Sequence, residues 1–110
     1  MIYEMRRYES VPGKLGALQR LMVEAAMPVF KKLDMQVIGA WVPVIGDDEY
    51  TVIYMLAYDS MDERNAKWDA FFEDPDWLQN RARIAEEEGG AFVARSVATF
   101  LNPTSYSPLQ

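Results

Sequence analysis

The 110-residue sequence contains no cysteine and no histidine. Without thiols there are no disulfides, no thiolate nucleophile and no Cys-held zinc or iron–sulfur centre. Without imidazole there is no His-based triad, no His-ligated haem and no side chain whose ordinary pKa suits proton shuttling near neutrality. Carboxylate and backbone oxygens are then the only good metal ligands left, and the expectation is a protein with no metal and no cofactor. Basic residues are scarce as well. Eleven Lys and Arg stand against 17 Asp and Glu, a net charge of −6, which argues against nucleic acid and anionic membrane as partners. Long apolar runs are missing: the longest candidate, Val37 to Ile45, is far short of a bilayer span and carries Pro43. The opening Met1 to Arg7 lacks the apolar core of a signal peptide, so a cytoplasmic location is expected.

What is present suits one small globular domain. Half of the residues are hydrophobic and a quarter are charged. A chain of this length buries about two-thirds of its unfolded surface, enough for one core. Ile2 to Glu9 reads as a strand, with Tyr3 and Met5 on one face and Glu4, Arg6 and Tyr8 on the other. Leu15, Leu18, Met22, Ala25 and Val29 recur at helical spacing, with Leu21 beside them. Pro28 offers no N–H to the Glu24 carbonyl, so a kink or restart is expected there, with the helix ending near Asp34. Gln36 to Ile45 and Tyr50 to Tyr58 are β-rich runs around the acidic connector Gly46-Asp47-Asp48-Glu49, as in a hairpin.

Ser60-Met61-Asp62-Glu63 is a capping box, in which the serine accepts from the glutamate N–H and the glutamate reaches back. The helix it opens places Met61, Arg64, Trp68 and Phe72 on one side. Asp74-Pro75 breaks it and starts a second piece with Leu78, Ala82 and Ala85 as the expected apolar stripe and Gly89-Gly90 as the stop. Phe92 to Leu101 is the last strand. The order βαββαβ predicts an α+β, ferredoxin-like domain: a four-stranded antiparallel sheet with helices on one face. The domain should span residues 1–102, with an extended C-terminal tail over 103–110. The central strands are apolar on both faces, which predicts that the sheet is also covered on its second face, by a second copy in a homodimer.

These residues resemble the NIPSNAP family of the dimeric α+β barrel superfamily over nearly the whole chain. Met1-Ile2-Tyr3-Glu4-Met5-Arg6-Arg7-Tyr8 resembles the opening strand, Pro12-Gly13-Lys14 the helix entry and Gly39-Ala40-Trp41 a glycine–aromatic strand motif. Ala57-Tyr58-Asp59-Ser60 with Glu63-Arg64, then Asp74-Pro75-Asp76-Trp77, resembles the most distinctive stretch. Asn102-Pro103 with Tyr106-Ser107-Pro108-Leu109 is similar to the family's ending. The resemblance implies a barrel closed by two subunits. It implies little about activity, because the superfamily holds cofactor-independent monooxygenases, isomerases, haem enzymes and plain binding proteins, and fold does not transfer function.

Candidate site residues follow from residue type. Trp41, Tyr54, Tyr58, Trp68 and Trp77 could line an aromatic pocket, although stripes at helical spacing usually mark the core face, which favours Trp68 and Trp77 as core. Arg64, one turn before Trp68, suits the carboxylate or enolate of a small anionic or aromatic ligand through paired N–H donors. The alternatives for it are an ion pair near Asp59 or packing over Trp68. Glu4, Arg6 and Tyr8, with Arg95 near them, form either an acid–base set or the polar lining of a dimer barrel. The acidic runs Asp47-Asp48-Glu49 and Glu86-Glu87-Glu88 lack calcium-loop spacing and read as solvated charge. Two kinds of function remain: a metal-free enzyme on a small apolar or aromatic acid, monooxygenase- or isomerase-like, and a non-catalytic ligand-binding or protein-interaction module.

Overall fold

Register decides which side chains can meet in this molecule. A computed structural model describes residues 1–46 and 50–110, so the acidic connector Asp47-Asp48-Glu49 lies outside the described residues. Strands β1 (Ile2–Ser10), β2 (Gln36–Trp41), β3 (Thr51–Tyr58) and β4 (Val93–Leu101) form one antiparallel sheet in the order β2-β3-β1-β4. Helix α1 covers 15–32 and links β1 to β2, while α2 (Met61–Glu73) and α3 (Pro75–Glu87) link β3 to β4. This is the βαββαβ plan, with the second helix broken at Asp74. Among the described residues no helix is long and apolar enough to cross a membrane.

Directly paired residues share a sheet face. Glu4 pairs with Leu56 and Phe100, Arg6 with Tyr54 and Ala98, and Tyr8 with Val52 and Ser96. That whole set faces the helices. The opposite face carries Tyr3, Met5 and Arg7 with Ala57, Met55 and Ile53 of β3 and Leu101, Thr99 and Val97 of β4. The core fills the first layer: Leu18, Leu21, Met22, Ala25, Val29 and Phe30 of α1 pack on Tyr54, Leu56, Trp68, Phe71 and Ile84.

Helix α1 departs from expectation at its centre. The restart expected at Pro28 is present, but α1 reaches it without a break. Its turns widen to π-helix over Leu21–Ala26, where the Met27 N–H donates to the Met22 carbonyl, and ordinary helix resumes at Met27–Lys32. Pro28 then falls in the first turn of the resumed segment, where a missing N–H is tolerated. The wide turns also explain the core pattern. Buried pairs recur every four residues, at Ala17/Leu18, Leu21/Met22, Ala25/Ala26 and Val29/Phe30. At 3.6 residues per turn, each four-residue step overshoots by about 40°, and the stripe would leave the sheet without the π segment. Asp34 closes the helix in the left-handed region, φ 56°, and the Met35 N–H returns to the Phe30 carbonyl at 2.8 Å.

One boundary and two helix faces are corrected. Strand β2 ends at Trp41 and not at Ile45, because Pro43 cannot donate to a ladder, and Val44 and Ile45 are almost fully exposed. On α2 the inner face is Arg64, Trp68 and Phe71, whereas Met61 and Phe72 are exposed. On α3 the inner face is Trp77, Ile84 and Ala85; Leu78 and Ala82 are exposed. Both helices start as expected. Ser60 accepts from the Glu63 N–H at 3.1 Å, while Glu63 reaches back to the Asp59 N–H at 2.7 Å. Asp74 accepts from the Asp76 and Trp77 N–H groups. Beyond β4 the chain turns at Thr104–Ser107 and comes back to β1, where the Tyr3 hydroxyl donates to the Gln110 carbonyl at 2.7 Å.

Candidate functional site

A charged residue is fully buried at the centre of the helix-facing side of the sheet. Strand alternation turns Glu4 inward, and its side chain has no exposure. Such burial is tolerated only when the charge is paired and its lone pairs are filled. Here five donors fill them. Oε1 accepts from the Tyr58 hydroxyl at 2.9 Å, Arg64 Nε at 3.1 Å and Trp68 Nε1 at 3.2 Å. Oε2 accepts from Arg6 Nη1 at 2.8 Å and Arg64 Nη2 at 3.0 Å. Arg64 thus grips both carboxylate oxygens, the planar two-point geometry that guanidinium favours. The indole N–H of Trp68 also reaches the Tyr58 oxygen at 2.8 Å.

The electrostatic consequence is a fixed anion between two fixed cations. Burial pushes the Glu4 carboxyl upward, but the hydrogen bonds from Arg64, Tyr58 and Arg6 together outweigh it and hold the group below its ordinary value. Glu4 is therefore a carboxylate near neutrality and a poor proton acceptor. Burial raises Tyr58 and Tyr54 above the ordinary phenol value, so both keep their protons. Arg6 is partly desolvated, which disfavours its charge, yet the neighbouring Tyr54 and Tyr8 and its bond to Glu4 keep it protonated. Arg6 spans the cluster: Nε donates to the Tyr54 hydroxyl at 3.0 Å and Nη2 to the Tyr8 hydroxyl at 2.9 Å. Its guanidinium lies 4.4 Å from the Trp68 ring centre.

The cluster has one open side. Glu4, Tyr54, Tyr58 and Trp68 are buried, but the side chains of Arg6 and Arg64 keep 12% and 23% of their surface in solvent. They emerge over β4, which is exposed along its whole length, including Ser96, Ala98 and Phe100 on the helix-facing side. Phe100 walls one end, with its ring centre 5.2 Å from the Arg64 guanidinium. Two cations against one anion leave a net single positive charge, bordered by aromatic rings and small side chains. A separate polar cavity of about 310 Å³ lies beside Tyr58, lined by Met35, Gln36, Asp59, Glu63 and Lys67.

Of the residues singled out from sequence, Tyr54, Tyr58, Arg64 and Trp68 are gathered here. Trp77 is one ring removed, tilted against Phe71 with ring centres 4.5 Å apart. Trp41 lies on the other face of the sheet, its indole folded over Gly39, where an added Cβ would stand 2.6 Å from the ring. Arg64 is paired with Glu4, an alternative partner to the Asp59 region considered for it. Glu4, Arg6 and Tyr8 are not a barrel lining, because Trp68 and Arg64 of α2 bond to Glu4 from the helix side. Arg95 is not near them: it pairs with Glu9 on the opposite face. The sequence signal for this centre is a run of polar side chains on the strand face that should be core. Phe100 gave no such signal. Glu87 and Glu88 are engaged with Arg20, and Glu88 also with Lys14.

Comparison with known proteins follows the fold. The NIPSNAP family model matches residues 3–108. A NIPSNAP family protein of Agrobacterium tumefaciens is 28% identical, with 99% of this chain and 98% of that one aligned at a TM-score of 0.84. An uncharacterised NIPSNAP domain protein of Burkholderia xenovorans is 23% identical, with 98% and 99% aligned at 0.80. A provisionally assigned antibiotic biosynthesis monooxygenase of Nitrosomonas europaea shares the fold at 12% identity and a TM-score of 0.64, over 94% of this chain and 98% of that one. No curated protein matches the sequence significantly.

Proposed function

The chain belongs to the NIPSNAP family, and from that premise we propose that it is a homodimer whose subunits each bind a small organic monoanion with an apolar or aromatic body. The observation that carries this reading is the pair Arg6 and Arg64, locked on the buried Glu4 and partly exposed over β4. Guanidinium groups held in place by a buried counter-ion offer preorganised N–H donors to an incoming carboxylate or enolate. Phe100 and the exposed Ala98 offer an apolar bed beside that charge, with the small Ser96 next to it. Glu4 is saturated with donors, so the arrangement favours holding an oxyanion over proton abstraction by Glu4. Needing no metal, the site suits either ligand carriage or oxyanion-stabilised chemistry on the bound acid. The fold likeness to a monooxygenase carries no reaction to this chain.

The second sheet face supports the dimer. Trp41, Val97 and Leu101 are exposed there, with Met5, Ile53 and Met55 half-buried between them, a contiguous apolar surface of the kind that marks association. Titration calorimetry with phenylacetate tests the binding reading. Binding that weakens in Phe100→Ala, whose side chain lies outside the Glu4 hydrogen bonds, supports it; no heat of binding at millimolar phenylacetate refutes it. Sedimentation at micromolar protein tests the dimer, and a monomer mass refutes it.

A further inference from the structure

The Tyr8 hydroxyl has an unspent proton. A phenol has one donor and two acceptor positions. At Tyr8 the oxygen accepts from Arg6 Nη2 at 2.9 Å, so its proton cannot point at Arg6. Tyr58, by contrast, spends its proton on Glu4. The buried Tyr54 hydroxyl, which accepts from Arg6 Nε at 3.0 Å, is also hydrogen-bonded to Tyr8, and this bond favours the protonated Tyr54; with Tyr54 as its donor, the Tyr8 oxygen accepts twice and keeps its own proton. Tyr8 is only half-buried, and its cross-strand partner on β4 is the exposed Ser96. The free O–H is thus left on the open side, next to the guanidinium edge.

We propose that Tyr8 is a second recognition point of the anion site, donating its hydroxyl proton to an oxygen on the carbon next to the ligand's carboxylate, so that the site selects 2-oxo acids over simple carboxylic acids. This rests on the anion-binding reading given above. The argument is one of spacing. The Arg6 Nη2 donor and the Tyr8 oxygen are 2.9 Å apart, which is close to the separation of acceptor oxygens on neighbouring carbons. A carboxylate drawn to the guanidinium edge therefore brings a 2-oxo oxygen to Tyr8. A plain carboxylic acid leaves the hydroxyl without that partner. No covalent step is involved.

The test compares benzoylformate with phenylacetate, which differ at that position by an oxo group. In titration calorimetry the wild-type dimer or monomer, as purified, is expected to bind benzoylformate several-fold more tightly, roughly the five- to tenfold of one added hydrogen bond. Tyr8→Phe is expected to keep phenylacetate affinity and erase the preference. Ser96→Leu, which enlarges the side chain paired with Tyr8 across the strands and leaves both arginines in place, is expected to reduce the preference too, and it keeps the test open if Tyr8→Phe does not fold. Equal binding of the two acids by wild type, or a preference that survives in Tyr8→Phe or Ser96→Leu, overturns the role of Tyr8 and leaves the anion site standing. Failure of both acids to bind wild type overturns the anion site and this inference with it.

Discussion

Arg64 and Glu4 are 60 residues apart in sequence and are joined by two hydrogen bonds, Nε to Oε1 at 3.1 Å and Nη2 to Oε2 at 3.0 Å. The pair ties α2 to β1 through the interior of the helix layer. It converts a surface-type residue on a helix into a structural clamp, and it makes Arg64 a poor position for a purely functional substitution. Arg64→Leu removes two of the five donors of a fully buried carboxylate. Breaking one side of a buried pair typically costs about 3–5 kcal/mol, and Arg6 remaining in place puts the expected loss near the lower end, about 3 kcal/mol. Urea denaturation of the variant measures it, and a loss below about 1 kcal/mol would show that Glu4 does not depend on Arg64.

Acid should unfold the protein partly through Glu4. Its folded pKa lies below the ordinary value of 4.5. A carboxyl held down by folding contributes stability that is complete above the unfolded pKa and disappears as the pH falls through the folded one. Stability from this group is therefore constant down to about pH 5 and declines below about pH 4.5. In Glu4→Gln that part of the acid limb is absent, so the variant is less stable at neutral pH and its stability falls less steeply on acidification. Thermal melts across pH 3 to 7 compare the two slopes, and parallel slopes would remove Glu4 as a cause.

The phase of α2 can be tested with neighbouring phenylalanines. Phe71 is 2% exposed and Phe72 is 55% exposed. Phe71→Ala should cost about 3–5 kcal/mol, as expected for a large aromatic cavity. Phe72→Ala should cost less than about 1 kcal/mol, since it leaves the core filled. Similar losses in denaturant melts of both variants would put the helix in the other phase.

Gly39→Ala should move a tryptophan without unfolding the chain. The new methyl would stand 2.6 Å from Trp41 Cζ2, an overlap that the ring must relieve. Trp41 is half-exposed, so it can swing away at a cost of about 1 kcal/mol or less. Iodide quenching of tryptophan emission should increase as the indole enters solvent, and unchanged quenching would mean that the ring does not lie over Gly39.

The plan of the fold was legible because it depends on periodicity and punctuation, which are local. Ser60 and Asp74 sit at helix starts where their side chains must cap, and Gly89 takes the left-handed backbone, φ 81°, that ends α3. What was hidden depended on partners far along the chain. Nothing near Glu4 in sequence says that Tyr58, Arg64 and Trp68 will converge on it, and alternation alone leaves both sheet faces open for a polar set. The register of β1 against β3, fixed by pairings such as Arg6 with Tyr54, decides the face. Spacing puts Phe72 on the inner face of α2 where the structure puts Phe71, because two adjacent aromatics fit the same stripe almost equally well. In α1 the period itself differed from that of an ordinary helix.

The π segment gives the chain an unequal tolerance to changes in length. Over the buried pairs from Ala17 to Phe30, three steps of four residues exceed three ordinary turns by about 120°, close to the 100° that one residue occupies in an α-helix. Helix α1 therefore stores roughly one surplus residue between its ends. Deleting Val23, which is 70% exposed, lets the wide turns tighten to ordinary helix while Val29 and Phe30 stay on the sheet. The same single deletion at Asn65 in α2, an ordinary helix with no slack, rotates Trp68 by about 100° away from Glu4. Of the two crossovers, the first can change length by one residue and keep its frame, and the second, which brings Arg64 and Trp68 to the buried Glu4, cannot.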